Sequence, residues 1–175
     1  DHRALARVLT VLEDDPRRPE YVGDSASGGT AIATGVVTSR GRIATRAGTG
    51  EPVPTLLELV AGKRTGIVTT ASLTDATPAS FVAHIRRRFC QGPAEMLPTP
   101  TDPRCPDDLK QNGGAGSIAE QIAVSGVDLL LGGGYSFFDQ RDEEGVSVLG
   151  RARSAGYRIV RNADALKAAT ATPGP

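Results

Sequence analysis

Two short apolar runs, set apart by segments with helical periodicity, constrain the fold of this chain more than any other feature. The runs Gly66-Ile-Val-Thr-Thr70 and Val127-Asp-Leu-Leu-Leu131 predict buried strands, and a third strand is predicted at 157–160. Strands that alternate with helices indicate an α/β fold, a three-layer sandwich with a mostly parallel central sheet covered by helices. The strands are few for a complete sheet, so we expect this sandwich to be incomplete.

Apolar residues spaced three and four positions apart predict helices along much of the chain. These helices cover 3–13, 26–35, 54–62, a segment opened by Pro78, 117–125, 146–155 and 163–169. The stretches between them are predicted to be a polar turn at 14–18, a Gly-rich surface excursion at 37–52, a long loop at 89–115, a turn at Gly132-Gly-Gly134 and a disordered tail from residue 170.

The composition is that of an ordinary globular protein, with 39% hydrophobic and 23% charged residues in 175. Lysine plus arginine equals aspartate plus glutamate, 20 against 20. This zero net charge gives no general attraction to nucleic acid or to an anionic membrane. No apolar run is long enough to span a bilayer. We therefore expect one globular unit without a nucleic-acid-binding surface or a membrane span.

The two cysteines, Cys90 and Cys105, lie fifteen positions apart in a stretch rich in proline and aspartate. One interpretation is a disulfide that staples an irregular loop, which indicates an oxidising compartment. The other is a pair of free, buried thiols in a cytoplasmic protein. The spacing alone leaves both interpretations open.

The dipeptide Asp24-Ser25 comes directly before a run of small residues that predicts a helix. Such a pair is an ordinary helix N-cap. A serine at a helix N-terminus is also placed where free N–H groups favour negative charge, and a metal ion can stabilise its alkoxide as a nucleophile. Local chemistry therefore supports either a cap or a nucleophile here.

The run Val22-Gly-Asp-Ser-Ala-Ser-Gly-Gly-Thr30 resembles the active-site signature of alkaline phosphatases, which surrounds their phosphorylated serine. Further similarity follows in the family's order over most of the chain. It is found at Ala31-x-x-Thr34-Gly35-Val36, Pro54-Thr-Leu-Leu-Glu58, Asp75-Ala-Thr-Pro-Ala79, Ala83-His84, Arg88-x-Cys90-x-Gly-Pro93 and Leu131-Gly-Gly-Gly134. The ensemble implies that residues 1–175 are part of an alkaline phosphatase catalytic domain that lacks the extreme N-terminal and the C-terminal metal-ligand regions.

The resemblance assigns roles to five residues. Ser25 is implied as the nucleophile and, as the alkoxide, as a zinc ligand. Arg88 is implied to clamp the phosphate through two parallel hydrogen bonds, with Asp24 orienting it. Thr77 is implied as a magnesium ligand, and Asp75 is implied to hold water molecules on that magnesium.

Thr77 and Arg88 also have structural interpretations. Thr77, before a proline, is a good helix N-cap. Arg88, with its two preceding arginines, is also explained as a solvated basic helix end. The only histidines are His2 and His84, and His84 matches a family histidine that is not a metal ligand.

The resemblance therefore predicts phosphate monoester hydrolysis through a phosphoserine on Ser25, with two zinc ions and one magnesium ion held mostly by residues outside this chain. The isolated 175 residues are expected to be inactive, and robust turnover with zinc and magnesium would contradict that expectation. The resemblance also implies a Cys90–Cys105 disulfide, a periplasmic or secreted location and a homodimer for the full-length protein. The alternatives are a non-catalytic phosphate-binding α/β module, a related phosphodiesterase or sulfatase, and a domain in which Asp24-Ser25 is only a cap.

Overall fold

The computed structural model describes residues 9–60 and 62–170, which form a mixed α/β structure. The strands and helices in chain order are β1 (Thr10–Val11), β2 (Pro19–Glu20), α1 (Ser25–Thr34), α2 (Leu56–Leu59), β3 (Gly66–Ser72), α3 (Ala76–Ala79), α4 (Pro93–Met96), α5 (Ile118–Ala123), β4 (Leu129–Gly133), α6 (Tyr135–Phe138), α7 (Val148–Ser154) and α8 (Ala163–Thr170). No helix in these two ranges has the length and apolar character needed to cross a membrane.

Strands β3 and β4 pair in parallel, as predicted, with Gly66 opposite Leu129 at the start of the pairing. One face of this small sheet packs on the core through Ile67 and Leu130. The neighbouring Val68, whose side chain points to the other face, is 71% exposed. The prediction that these strands are buried on both faces is therefore wrong for the described residues, which place packed side chains against one face only.

Two details of the predicted strands are also wrong. Strand β4 begins at Leu129, two residues later than predicted. It also contains two glycines of the predicted Gly132-Gly-Gly134 turn. They belong to the strand because the Gly133 carbonyl accepts a hydrogen bond of 3.1 Å from Leu73 N–H. Only Gly134 turns the chain, with φ +88°. Residues 157–160 form no strand. Tyr157 instead donates its hydroxyl to the Val127 carbonyl at 2.8 Å, and backbone without a neighbouring strand to pair with cannot form a sheet.

The start of the described chain is a hairpin rather than the predicted helix over 3–13. Residues 3–8 lie outside the described ranges. Thr10–Val11 pairs antiparallel with Pro19–Glu20. The predicted turn at 14–18 connects these two strands and is confirmed. Val11 N–H donates to the Thr38 carbonyl at 3.3 Å. These tertiary hydrogen bonds outweigh the helical spacing of the apolar residues.

The segment 37–52 is irregular, as predicted, but its central residues 42–45 are buried rather than on the surface. Ile43 and Ala44 are completely buried. Ile43 exchanges two backbone hydrogen bonds of 3.0 Å with Ile85, so this segment lies against the chain that leads to Arg88. The largest fully buried apolar side chains form the centre of the core: Ile43, Ile85, Met96, Ile118, Ile122 and Val148.

Most of the predicted helices are confirmed, although several are shorter than predicted. The helix predicted to open at Pro78 is wrong: α3 begins at Ala76 and ends at Ala79, and the following chain is not helical because Ile85 pairs with Ile43 instead. Helix α2 is capped by Thr55, and α5 is capped by Ser117; in each case a glutamate three residues later completes a capping box. The helices predicted at 146–155 and 163–169 are α7 and α8. The tail predicted from residue 170 lies outside the described residues, apart from the last residue of α8.

Helix α1 packs very closely on α3 because Gly29 has no side chain. A Cβ built on Gly29 would lie 2.8 Å from Ser80 Oγ and 3.3 Å from Thr77 Cα. The Ser80 hydroxyl is buried and donates to the Ala76 carbonyl at 2.7 Å, so it has little freedom to move aside. This contact brings the first turn of α1 beside α3.

The long loop at 89–115 carries a disulfide between Cys90 and Cys105, and the pairing implied by the resemblance is confirmed. Both residues are buried. The loop contains α4 and two short 3-10 turns, and Met96 and Leu109 bury it partly against the core. Cys90 lies two residues after Arg88, and the disulfide therefore anchors the chain just beyond that arginine.

The packing of α1 on α3 predicts opposite effects for two adjacent glycines. Gly29→Ala is expected to lower the free energy of unfolding by about 1–3 kcal/mol, because the added methyl group overlaps Ser80. Gly28→Ala is the matched control: a Cβ there meets nothing within 4 Å, and alanine should stabilise the helix by about 0.5–1 kcal/mol. Chemical denaturation of both variants measures this. Equal stability of the two variants would contradict the close packing.

The disulfide also makes a testable contribution to stability. Replacing Cys90 and Cys105 together by serine is expected to lower the free energy of unfolding by about 3 kcal/mol, because the open loop gains chain entropy in the unfolded state. Denaturation with and without reductant measures this effect. Reductant should destabilise the parent protein and leave the double variant unchanged. Two free thiols in the native parent protein would refute the pairing.

Candidate active site

Ser25 is the first residue of α1, and its side chain is exposed. The cap of this helix is Asp24. Its carboxylate Oδ1 accepts a hydrogen bond of 3.0 Å from Ser27 N–H, and the Ser27 hydroxyl accepts one of 3.1 Å from Asp24 N–H. The capping role is therefore filled by Asp24 and Ser27, and the Ser25 hydroxyl is left available for other chemistry.

Arg88 joins Ser25 and Asp24 from a distant part of the chain. Its Nη1 lies 2.5 Å from Ser25 Oγ and 3.2 Å from Asp24 Oδ2. The side chains of Arg88 and Asp24 are 23% and 19% exposed. A guanidinium presents five N–H donors in a rigid fork, so Arg88 has donors left for an anion in front of Ser25.

The two arginines before Arg88 have other partners. Arg86 forms an ion pair with Asp107, and Arg87 forms one of 2.8 Å with Asp102. Of this run of three, only Arg88 has a hydrogen bond to Ser25 in the described structure. The alternative that all three form a solvated basic helix end does not fit, because 86–88 is not helical.

Asp24 is held by more hydrogen bonds than sequence reasoning anticipated. The backbone N–H of Gly41 lies 3.3 Å from Oδ1 and 3.2 Å from Oδ2. Burial favours the neutral acid, but the hydrogen bonds from Ser27, Gly41 and Arg88 outweigh it and lower the pKa of Asp24 below its usual value. Asp24 is therefore ionised at neutral pH and pairs with the Arg88 cation. Sequence reasoning missed Gly41, whose only local signal is a glycine in an irregular segment.

A cavity of about 520 Å³ opens in front of Ser25. Arg88, Asp75 and Thr77 line it together with Ser25, so four of the five assigned residues meet in one place. Asp24 lies behind them as the support of Arg88. The remaining lining is mostly apolar and comes from β3, α3, Leu57 and Phe81.

Thr77 is not a helix cap, and that alternative is wrong. Helix α3 begins at Ala76, and the N-cap position belongs to Asp75, whose side chain makes no capping hydrogen bond. Thr77 is exposed inside this four-residue helix. Its hydroxyl and the Asp75 carboxylate are thus oxygen donors at the edge of the cavity, which is the donor type that magnesium prefers.

His84 connects two elements of the structure. Its Nδ1 lies 2.9 Å from the Ala44 carbonyl oxygen, and its Nε2 lies 3.0 Å from Glu58 Oε1. It therefore links the 37–52 segment to α2. His2 lies outside the described residues. Within 9–60 and 62–170, no three His, Cys, Asp or Glu side chains come together as a possible metal cage.

The comparison with known proteins points to one family throughout. The family model for alkaline phosphatase matches residues 4–174. Streptomycin-6-phosphate phosphatase of Streptomyces griseus is 46% identical over 98% of this chain and 38% of its own length. Alkaline phosphatase of Escherichia coli is 38% identical over 91% of this chain and 34% of its own. The chain thus spans about a third of the length of these relatives.

Solved structures support the same relationship. The alkaline phosphatase of the Antarctic bacterium TAB5 superposes with a TM-score of 0.61 at 29% identity, over 81% of this chain and 34% of that one. A variant of that enzyme was solved with magnesium bound. The enzyme of a psychrophilic Shewanella superposes with a TM-score of 0.62 at 27% identity, over 85% of this chain and 30% of that one. The family match covers nearly every residue, and the chain belongs to the alkaline phosphatase family.

Proposed function

We propose that the complete protein containing this chain hydrolyses phosphate monoesters through a phosphoserine intermediate on Ser25. One observation carries the proposal: the Arg88 guanidinium is hydrogen-bonded to Ser25 Oγ and to Asp24 at once. A fixed guanidinium beside a hydroxyl recognises a phosphoryl group that is about to be attacked, because its parallel donors match two phosphate oxygens.

The reaction proceeds in two displacements. A phosphate monoester binds with its phosphoryl oxygens on Arg88, which Asp24 keeps oriented. Ser25 Oγ then bonds to phosphorus while the ester P–O bond breaks, and the alcohol leaves with a proton. Water next attacks the phosphoserine, which releases inorganic phosphate and restores the Ser25 hydroxyl. The N-terminus of the ten-residue α1 favours the negative charge that develops in both steps.

Metal ions belong to this proposal because the family is metal-dependent. A bound metal ion supplies electrostatic stabilisation to the serine alkoxide and to the leaving oxygen. Thr77 and Asp75 fit one magnesium ion, with Thr77 as a direct ligand and Asp75 acting through water. The described residues do not fit a zinc cage. We propose that two zinc ions are held mostly by residues outside this chain, so that these 175 residues alone are inactive.

The substrate and the location are further parts of the proposal. The relative from Streptomyces griseus is named for streptomycin 6-phosphate, so that ester should be assayed beside simple aryl and alkyl phosphates. The buried disulfide supports a periplasmic or secreted location, since disulfides persist in oxidising compartments. We propose a homodimer for the complete protein, by analogy with the family, and a sizing measurement decides this.

Ser25→Ala in the complete protein tests the nucleophile. We expect nearly all monoester turnover to be lost with little change in melting temperature, because Asp24 and Ser27, not Ser25, cap α1. Steady-state assays with a monoester, a diester and a sulfate ester measure the loss and the reaction class. Ser154→Ala, at an exposed serine that ends α7, is the matched control and should keep full activity.

Three results of this experiment contradict the proposal in different ways. Full activity of Ser25→Ala removes the nucleophile. A parent protein that binds phosphate but turns over no ester is a non-catalytic phosphate-binding module. A preference for the diester or the sulfate ester assigns the protein to another class of the superfamily.

Arg88→Lys tests the clamp. Lysine keeps the charge but cannot present two parallel donors. We expect kcat/KM to fall about tenfold to a hundredfold, since one hydrogen bond to a charged group contributes about 1.5–3 kcal/mol. Inhibition by inorganic phosphate should weaken in parallel. Arg87→Lys, at an arginine paired with Asp102, is the matched control, and an equal loss in both variants would show a general basic surface rather than a clamp.

A further inference from the structure

The backbone of Gly41 is hydrogen-bonded to both residues of the phosphate clamp, Asp24 and Arg88. Its N–H group lies 3.3 and 3.2 Å from the two carboxylate oxygens of Asp24. Its carbonyl oxygen accepts a hydrogen bond of 2.8 Å from the backbone N–H of Arg88. The backbone at Gly41 therefore helps to set the relative position of Asp24 and Arg88, beside their direct ion pair.

Apart from these hydrogen bonds to the clamp residues, no side chain of the described residues packs against Gly41 at the position of a Cβ. Its φ is +79°, in the left-handed region that favours glycine, and a Cβ built there meets no heavy atom within 4 Å. The residue lies in an irregular segment, so no helix or strand constrains it. Its position is therefore expected to depend strongly on the residues on either side.

Those residues are held by the carboxylate of Glu13, which lies in the β1–β2 turn. Glu13 accepts hydrogen bonds from Arg42, through Nε at 2.7 Å and through Nη2, and from the Ser39 hydroxyl. The Gly48 N–H adds another of 3.2 Å. Since Ser39 and Arg42 flank Gly41, one carboxylate anchors this loop, residues 39–42, on both sides.

The ion pair is charged under all conditions relevant to the enzyme. Arg42 is only 6% exposed, and a buried guanidinium needs a counter-charge. The hydrogen bond from Arg42, with help from Ser39 and against the effect of burial, lowers the pKa of Glu13 to about 2. Glu13 therefore remains an anion throughout the neutral and alkaline range.

Glu13 does not contact the catalytic cavity. With Arg42 it lines a separate cavity of about 350 Å³, whereas Ser25 and Arg88 line the cavity of about 520 Å³. Its hydrogen bonds to Ser39 and Arg42 are the contacts that lead from Glu13 towards Gly41. This makes Glu13 a positioning residue rather than a catalytic one.

We propose that the Glu13–Arg42 ion pair is a positioning element of the phosphate clamp, because it fixes the Gly41 backbone that orients both Asp24 and Arg88. The proposal rests on the function proposed above. A second anchor keeps the loop attached when the pair is broken: the Thr30 hydroxyl of α1 donates to the Arg42 carbonyl at 3.1 Å and accepts from Ala44 N–H at 2.9 Å.

Glu13→Gln in the complete protein tests this proposal. The glutamine amide has one acceptor oxygen, whereas the Glu13 carboxylate offers two to Arg42, Ser39 and Gly48. The substitution also leaves the Arg42 charge unpaired. We expect kcat/KM to fall about tenfold to a hundredfold, as displacement of a remote support can do. The loss should appear in KM and in inhibition by inorganic phosphate more than in kcat. Ser39→Ala, a milder change, should give a smaller loss in the same direction if Glu13→Gln does not fold.

Hydrogen–deuterium exchange gives a readout that does not depend on activity. Peptides that cover Gly41 and Arg88 should exchange faster in Glu13→Gln than in the parent protein. Glu144→Gln is the matched control, because Glu144 also pairs with an arginine, Arg151, but contacts neither loop nor clamp. It should leave the kinetics and the exchange at both places unchanged.

The outcomes separate this proposal from the proposed function. Parental kcat/KM, phosphate inhibition and exchange in Glu13→Gln overturn the positioning role even if Ser25 is the nucleophile. A fully active Ser25→Ala protein overturns the catalytic function, and the exchange of the Gly41 and Arg88 peptides then decides the positioning role alone. A lower melting temperature with unchanged kinetics and exchange shows a purely structural ion pair.

Discussion

The carboxylate of Asp24 is the interaction on which the rest of the site depends. It caps α1 through Ser27, accepts the Gly41 N–H and binds the Arg88 guanidinium. These contacts require the ionised acid, and together they keep its pKa low despite partial burial. One partly buried charge thus starts the helix that carries Ser25 and orients the Arg88 guanidinium that faces Ser25.

The geometry also explains why so many small residues surround the site. Gly29 lets α1 approach α3 until Thr77 and Ser25 line one cavity. Beyond Arg88, the buried disulfide at Cys90 fixes the chain that follows. The clamp is therefore assembled from segments that are far apart in sequence, and burial or hydrogen bonding anchors each of them. The two-stranded sheet is largely exposed and does not hold them. Preorganisation of this kind is what phosphoryl transfer requires from a protein.

The residues singled out from the sequence lie together in the structure, whereas several predicted elements of the fold are wrong. The signature around Ser25 placed the serine at a helix start, and resemblance singled out Arg88 from three adjacent arginines, which no local pattern could do. The predicted helix at 3–13 and the predicted strand at 157–160 were wrong over the described residues, because distant parts of the chain decide these structures. The first hairpin is bonded to the Thr38 carbonyl, and the Tyr157 hydroxyl is bonded to the Val127 carbonyl. The role of Gly41 was not predictable, because nearly every residue has a backbone N–H and the sequence does not show which one binds Asp24.

The central claim is that Ser25 becomes covalently phosphorylated. The most direct measurement is acid quenching of the complete, metal-loaded protein during turnover of a phosphate monoester, followed by peptide mass spectrometry of the segment that contains residues 22–30. The account predicts one added phosphoryl group on Ser25, absent without substrate. A phosphoryl group on Ser27 or another residue, or steady turnover with no covalent phosphate on this segment, would contradict it.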